Sequence, residues 1–519
     1  MSAPSRIRTT PRRGRRILAW AVAVVVLVGA AAALAALAWS VAARTTAGQV
    51  DFSRPLAIPP LAESTIDADG RRVFDLRLQT GRTDFGLGRP TDTWGVNGPY
   101  LGPTLRAQRG EQVAVRVTND VGESTTLHWH GMHLPPSMDG GPHQMIEPGG
   151  IWFPSWQVDQ PAATLWYHPH LHGETAEHVY RGLAGMFLID DPDAAPALPR
   201  NYGVDDLPVI VQDKSFTDDG QLDDGDPLFS PTGFLGDTIL VNGTIGPYAE
   251  VTTETVRLRL LNASNARIYD FGLVDPDGRA HDFVLVGTDG GLLPAPVPGE
   301  RVQLSPGERA EIVVSMTPGQ DLVLRSFPPD LGGDFFSERF AGGDDTLDVL
   351  QLRAADTLAP SPALPHRLAP APDLREEDAV TTRTFRLSGT AINGQDMDMN
   401  RIDEVVRLGT TELWEVTNAD GIPHNFHVHD VQFQVVDVAG AAPPPELSGW
   451  KDTVYVAPGS VVRLIMRFTD YADPESPYMF HCHLLRHEDS GMMGQFVVVR
   501  PEDGVEPGSD PDVHASHGS

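Results

Sequence analysis

The stretch Glu111–Asn119, EQVAVRVTN, decides the fold. Val113, Val115 and Val117 alternate with other residues at the period of a half-buried strand, and the run stops at an asparagine. The pattern returns as ETVRLRLLN at Glu254–Asn262 and as ELWEVTN at Glu412–Asn418. Upstream of each stands a Val/Ile-Asn-Gly turn, at Val96–Gly98, Val241–Gly243 and Ile392–Gly394. Downstream of each a Pro-Gly turn begins, at Pro148, Pro306 and Pro458. A period of about 150 residues, with turn residues punctuating alternating strands, predicts an all-β chain of three sandwiches in series.

The boundaries follow from composition. The three units are predicted over 60–195, 200–355 and 381–500, with a Pro/Ala-rich linker at 356–380 and a disordered acidic tail at 501–519. A basic segment, 1–16, holds six arginines and no acid. The apolar run at 17–43, Ile17 to Ala43, is broken only by Ser40, and it predicts a signal-anchor or cleavable signal helix. The flanking arginines place the segment before it in the cytoplasm and everything after it on the outer side of the membrane. The protein is then held at that face through its helix, or secreted if the helix is cleaved.

The formal net charge is −31, and beyond residue 16 it is −37, from 33 basic and 70 acidic side chains. Such a surface excludes nucleic acid as a partner and favours cations. One cysteine, Cys482, leaves no intrachain disulfide available.

Among 18 histidines, four clusters stand out: His128-Trp-His130, His168-Pro-His170, His424-Asn-Phe-His427-Val-His429, and His481-Cys482-His483 followed by His487 and Met492. On a strand, residues i and i+2 share a face, so each His-x-His presents two imidazoles to one site. The first and third units carry these clusters, whereas Ala263–Phe271 of the middle unit holds no histidine. The predicted site therefore lies between units one and three, with the middle unit as a spacer.

Cys482, His424, His487 and Met492 supply a thiolate, two imidazoles and a thioether, the donor set of a blue-copper centre. The paired cysteines of a structural zinc site are absent from the sequence. His481 and His483 point away from Cys482 by strand alternation, so a second metal cluster on the other face would lie a few covalent bonds from the thiolate. With His128, His130, His168, His170, His427 and His429 they make eight further imidazoles, enough for three copper ions.

From about Leu61 to Arg500 the chain resembles the three-domain multicopper oxidases, nearest to bacterial copper-efflux oxidases and laccases, through the motifs HWHG, WYHPHLHG, HNFHVH and HCHLLRHEDSGMM. The resemblance implies three consecutive cupredoxin-like Greek-key domains and four coppers per chain. Type 1 copper would be held by His424, Cys482, His487 and Met492, and type 2 by His128 and His427. The type 3 pair would be held by His130, His168, His170, His429, His481 and His483. It also implies proton-relaying catalytic roles for Glu488 and Asp139. His172 and His178 read as supporting or surface residues, and Trp129 as packing.

Copper-efflux oxidases carry a methionine-rich insert, yet Leu347–Val380 has no methionine. Asp420 matches one acid of their extra copper site, but Ile422 stands where a methionine is expected. A more open His424/His487 edge predicts a laccase-like enzyme that takes electrons from phenols or similar small organic donors and reduces dioxygen to water. The alternatives are a cuprous- or ferrous-ion oxidase and, from another class, a non-catalytic structural protein on the copper fold.

Overall fold

The computed structural model describes residues 12–192, 197–223, 225 and 230–503. Residues 1–11 of the basic segment and the tail from 504 onward lie outside the described residues. The fold is the expected series of three cupredoxin-like sandwiches.

In the first, a sheet built on Arg72–Thr83 and Gln112–Asp120 faces a four-stranded sheet. The order in that second sheet is Leu105–Gln108, Gly185–Asp190, Ala163–His168, His128–His130. The second unit pairs two seven-stranded sheets and the third pairs two five-stranded sheets. Each sandwich closes on its own apolar core, as where Phe74 and Val115 of one sheet meet Trp129 and Phe187 of the other.

The repeat is visible in the hydrogen bonds. Arg72–Thr83 runs parallel to Gln112–Asp120, Asp206–Lys214 to Thr255–Asn262, and Ala379–Ser388 to Thr411–Asn418. Asn97, Asn242 and Asn393 adopt φ of +56°, +50° and +54°, a left-handed conformation that asparagine tolerates through its short polar side chain. Each accepts a backbone amide (Arg77, Ile210 or Arg386) and donates to a backbone carbonyl (Asp75, Pro208 or Thr384), so the turn is pinned to its neighbouring strand.

The strand-ending asparagines are equally alike. Asn119 donates to the carbonyls of Glu123 and Ile146, Asn262 to those of Arg267 and Leu304, and Asn418 to those of Ile422 and Val456. All three are fully buried. Each amide thereby ties the loop after its strand, which in units one and three leads into the first histidine cluster, to a distant part of the same unit.

The amino-terminal helix is present over Arg12–Ala42. Among the described residues no helix is long and apolar enough to cross a membrane. The side chains of its first turns, before Trp20, lie outside the description, so the membrane-spanning expectation stands on the sequence alone. After the helix the chain runs along the second sandwich, where Arg54–Pro55 adds a parallel edge strand to Pro247–Thr253.

Candidate metal centre

The histidine clusters of the first and third sandwiches meet face to face, and the imidazoles of His128, His130, His168, His170, His427, His429, His481 and His483 are all buried. His128 and His130 lie on one short strand, paired with the strand that ends at His168. His427 pairs with His481 in the third sandwich. His170, His429 and His483 lie just past the ends of their strands, so loops as well as pleat direct them.

His128 Nδ1 donates to the Asp139 carbonyl at 2.9 Å and His427 Nδ1 to the Asp452 carbonyl at 2.8 Å. Those bonds fix both tautomers and leave both Nε2 lone pairs free. Both Nε2 atoms are buried without a hydrogen-bond partner. A buried polar atom with nothing to satisfy it is costly unless something binds there.

Two further groups converge. The Nε2 of His481 lies 3.0 Å from that of His170 and 3.2 Å from that of His429. The Nε2 of His168 lies 3.3 Å from His130 Nδ1 and 3.4 Å from His483 Nε2. The opposite nitrogens are tied elsewhere: His429 Nδ1 to Asp139 Oδ2 at 2.7 Å, His168 Nδ1 to the Pro169 carbonyl at 2.8 Å, His481 Nδ1 to Glu488 Oε2 at 3.1 Å.

Burial and the crowding of like groups hold His130, His168, His427 and His429 well below the ordinary histidine value, and they bring His170 and His483 down to about 3. His481 is raised instead: burial lowers it, but Glu488 beside it prevails. Neutral imidazoles with converging lone pairs repel one another unless a cation sits between them. The donor set therefore fits metal ions, and nitrogen-rich sites of this kind suit copper.

On the other side of Cys482 the thiol sulfur lies 3.7 Å from both His424 Nδ1 and His487 Nδ1, which are 3.0 Å apart. Burial opposes ionisation of the thiol, but hydrogen bonds from His424 and His487 prevail and hold Cys482 down at about 5. Met492 shares the apolar core around Cys482, whereas Met493 pairs with His481 in the ladder. Asp420 faces His424 Nε2 at 3.3 Å. The alternation read from His-Cys-His holds: the sulfur faces one cluster and the two rings face the other.

Asp139 and Glu488 both sit beside the eight imidazoles, Glu488 lying 3.5 Å from His170 as well as near His481. Although burial raises it, the surrounding imidazoles keep Glu488 well below the usual carboxylate range. His172 is exposed. His178 is buried but away from the clusters, bonded to Thr125 and Glu123. Trp129 packs among Trp152, Trp156 and Tyr167, in the core.

Three contributors were invisible in the histidine pattern. Asn425 accepts the His483 amide at 2.6 Å and donates to Ser305 and the Pro306 carbonyl, coupling the third sandwich to the second. His487 Nε2 donates to the Pro231 carbonyl of the second unit at 2.8 Å. Arg309, also of the second unit, holds Asp452, whose carboxylate faces His130 Nε2 at 3.1 Å. The middle unit is thus more than a spacer. In its stretch without histidines, Arg267 instead makes a buried ion pair with Asp213 and Asp345. The Pro-Gly-Glu-Arg turn at Pro306–Arg309 and the Asn within HNFHVH mark two of these positions in the sequence, but neither reveals its partner.

Multicopper oxidase domain profiles match residues 78–194 and 369–502. A solved multi-copper oxidase from Pediococcus acidilactici superposes with a TM-score of 0.77 at 36% identity, covering 89% of this chain and 95% of that one. The chain belongs to the multicopper oxidase family. Another family member, the laccase-like CueO of Ochrobactrum sp., described as having oxidase activity towards lignin model compounds, is 38% identical. It has a TM-score of 0.76 and covers 86% of this chain and all of its own.

Among curated relatives, the cell division protein FtsP of Salmonella typhimurium is 39% identical over 456 residues, 86% of this chain and 93% of its own. That finding corrects the laccase-like reading and its metal-ion-oxidase alternative. A relative matched along most of its length is named for cell division and not for oxidising a donor, so a more open copper edge does not establish a substrate.

Proposed function

We propose that this chain acts in cell division on the outer side of the cytoplasmic membrane, with copper bound between its first and third sandwiches and within the third. The likeness to FtsP along most of both chains supports the cellular role. The observation that carries the copper is the pair of buried, unpartnered Nε2 atoms on His128 and His427.

In this reading four coppers are held. His424, Cys482, His487 and Met492 take type 1; His128 and His427 take type 2; His130, His168, His170, His429, His481 and His483 take the type 3 pair. Bound there, copper supplies one-electron redox chemistry. Asp139 and Glu488 orient His429 and His481 and hold protons at their Nδ1 atoms. The unit boundaries at 60–195, 200–355 and 381–500, and attachment through the amino-terminal helix, belong to the same proposal.

Deleting the gene in its source organism tests the role. A septation defect restored by the wild-type chain is expected, while division unaffected by the deletion would remove the cellular part. Copper analysis and the visible spectrum of the purified protein test the site, which fails if the reconstituted protein binds none. Oxygen uptake by the copper-loaded protein, measured alongside, decides whether this member of the family retains oxidase chemistry.

A further inference from the structure

The amino-terminal helix exposes apolar side chains on every face. Val24, Val25, Val26, Leu27 and Val28 are consecutive, and each is more than half exposed, as are Trp20, Val22 and Leu34. Five adjacent residues span more than a full turn, so no single groove or partner helix covers them. A protein partner covers one stripe, whereas lipid surrounds a helix completely.

The base of this helix does not swing free. Trp39 packs at a tilt against Phe335, ring centroids 4.9 Å apart, and meets Phe336 edge-on at 5.7 Å, both on the short helix Phe335–Phe340 of the second sandwich. Arg339 donates twice to the Trp39 carbonyl, at 3.0 and 2.9 Å, and lies over the Trp39 ring. The next residues are stitched down: Arg44 N donates to Asp345, Thr46 N to the Thr346 carbonyl, and Gly48 N to Asp348. Phe335 and Phe336 are nonetheless 67% and 66% exposed, beside the point where the apolar helix leaves an otherwise acidic body. Bulky rings at the boundary between an apolar helix and a polar domain are what a membrane interface accommodates.

We propose that Trp39, Phe335 and Phe336 form a lipid-facing aromatic patch that seats the second sandwich on the bilayer entered by the amino-terminal helix. The body is then held at a set tilt instead of hanging from a flexible tether. This rests on the helix remaining attached, and the test separates the two ideas.

The full chain is reconstituted into vesicles of phosphatidylcholine and phosphatidylglycerol. A polarity-sensitive fluorophore is placed at Phe336→Cys and, as a control, at Val380→Cys on the exposed edge of the third sandwich. The native thiol of Cys482 is fully buried and does not compete for label. The expected result is a blue shift at 336, quenching by nitroxide-bearing lipids, and several-fold less quenching by aqueous iodide than at 380. Phe335→Cys repeats the measurement if the first variant fails to fold. Equal iodide quenching at both sites in a chain that floats with the vesicles overturns the patch alone. A chain that does not float overturns attachment and patch together. A blue shift that appears without lipid and grows with protein concentration assigns the surface to a second copy and overturns the proposal.

Discussion

Arg309 of the second sandwich lays its guanidinium across the carboxylate of Asp452 in the third, at 2.7 and 2.6 Å, and Asp452 faces His130 of the first. Both charged side chains are fully buried. All three units are thus joined at one carboxylate whose own backbone carbonyl orients His427.

Arg309→Met is expected to destabilise the protein by about 3–5 kcal/mol, because it strips the buried Asp452 carboxylate of its arginine partner. Denaturant titration of the metal-free protein reads this directly. A loss below 1 kcal/mol would show that the pair contributes little. Arg309→Lys, which cannot grip both carboxylate oxygens, should fall between.

Asp139→Asn keeps the shape of the side chain but weakens its charged contact with His429 at 2.7 Å. Partners that orient metal-binding histidines typically change affinity by about 10–100-fold when altered, and a loss of copper affinity in that range is expected. Competition with a chelator measures it. Unchanged affinity would place Asp139 outside the site's support.

In the metal-free protein the Cys482 thiol is expected to ionise near pH 5, since the facing histidines overcome burial. Its pKa is depressed relative to an unfolded thiol, so its contribution to stability is complete above the unfolded value. That contribution declines as pH falls through about 5. The ultraviolet absorption of the thiolate follows the titration, and Cys482→Ser abolishes it. A midpoint near the free-thiol value of about 8.5 would contradict the assignment.

Asn119→Ala, Asn262→Ala and Asn418→Ala should each cost about 1–3 kcal/mol, by removing two side-chain hydrogen bonds to backbone carbonyls apiece from a buried position. Thermal or denaturant unfolding compares them. The mutations in the first and third units should also weaken copper binding, because the loops they fasten lead to His128 and His424, whereas the middle one should affect stability alone.

Much was legible along the chain. The alternation of EQVAVRVTN and its two echoes specified strands because side chains of a strand divide between core and solvent, a local rule needing no partner. The Asn-Gly turns and the strand-ending asparagines marked the threefold repeat, and His481-Cys482-His483 carried its opposed faces in its own spacing. Other relationships span hundreds of residues and leave no periodic trace. Nothing near Pro306–Arg309 announces that Arg309 will meet Asp452, or that Pro231 will receive a hydrogen bond from His487.

The chain alone therefore determined three β-sandwiches, the histidine and cysteine donors, and the empty place in the middle unit where histidines are missing. Tertiary structure decided how those donors converge, which ring nitrogen each one offers, and that the middle unit braces the centre with a buried arginine. The physical reason is distance: patterning reports whether a side chain faces inward, but a lone pair's direction depends on a hydrogen bond to a group that packing alone brings near.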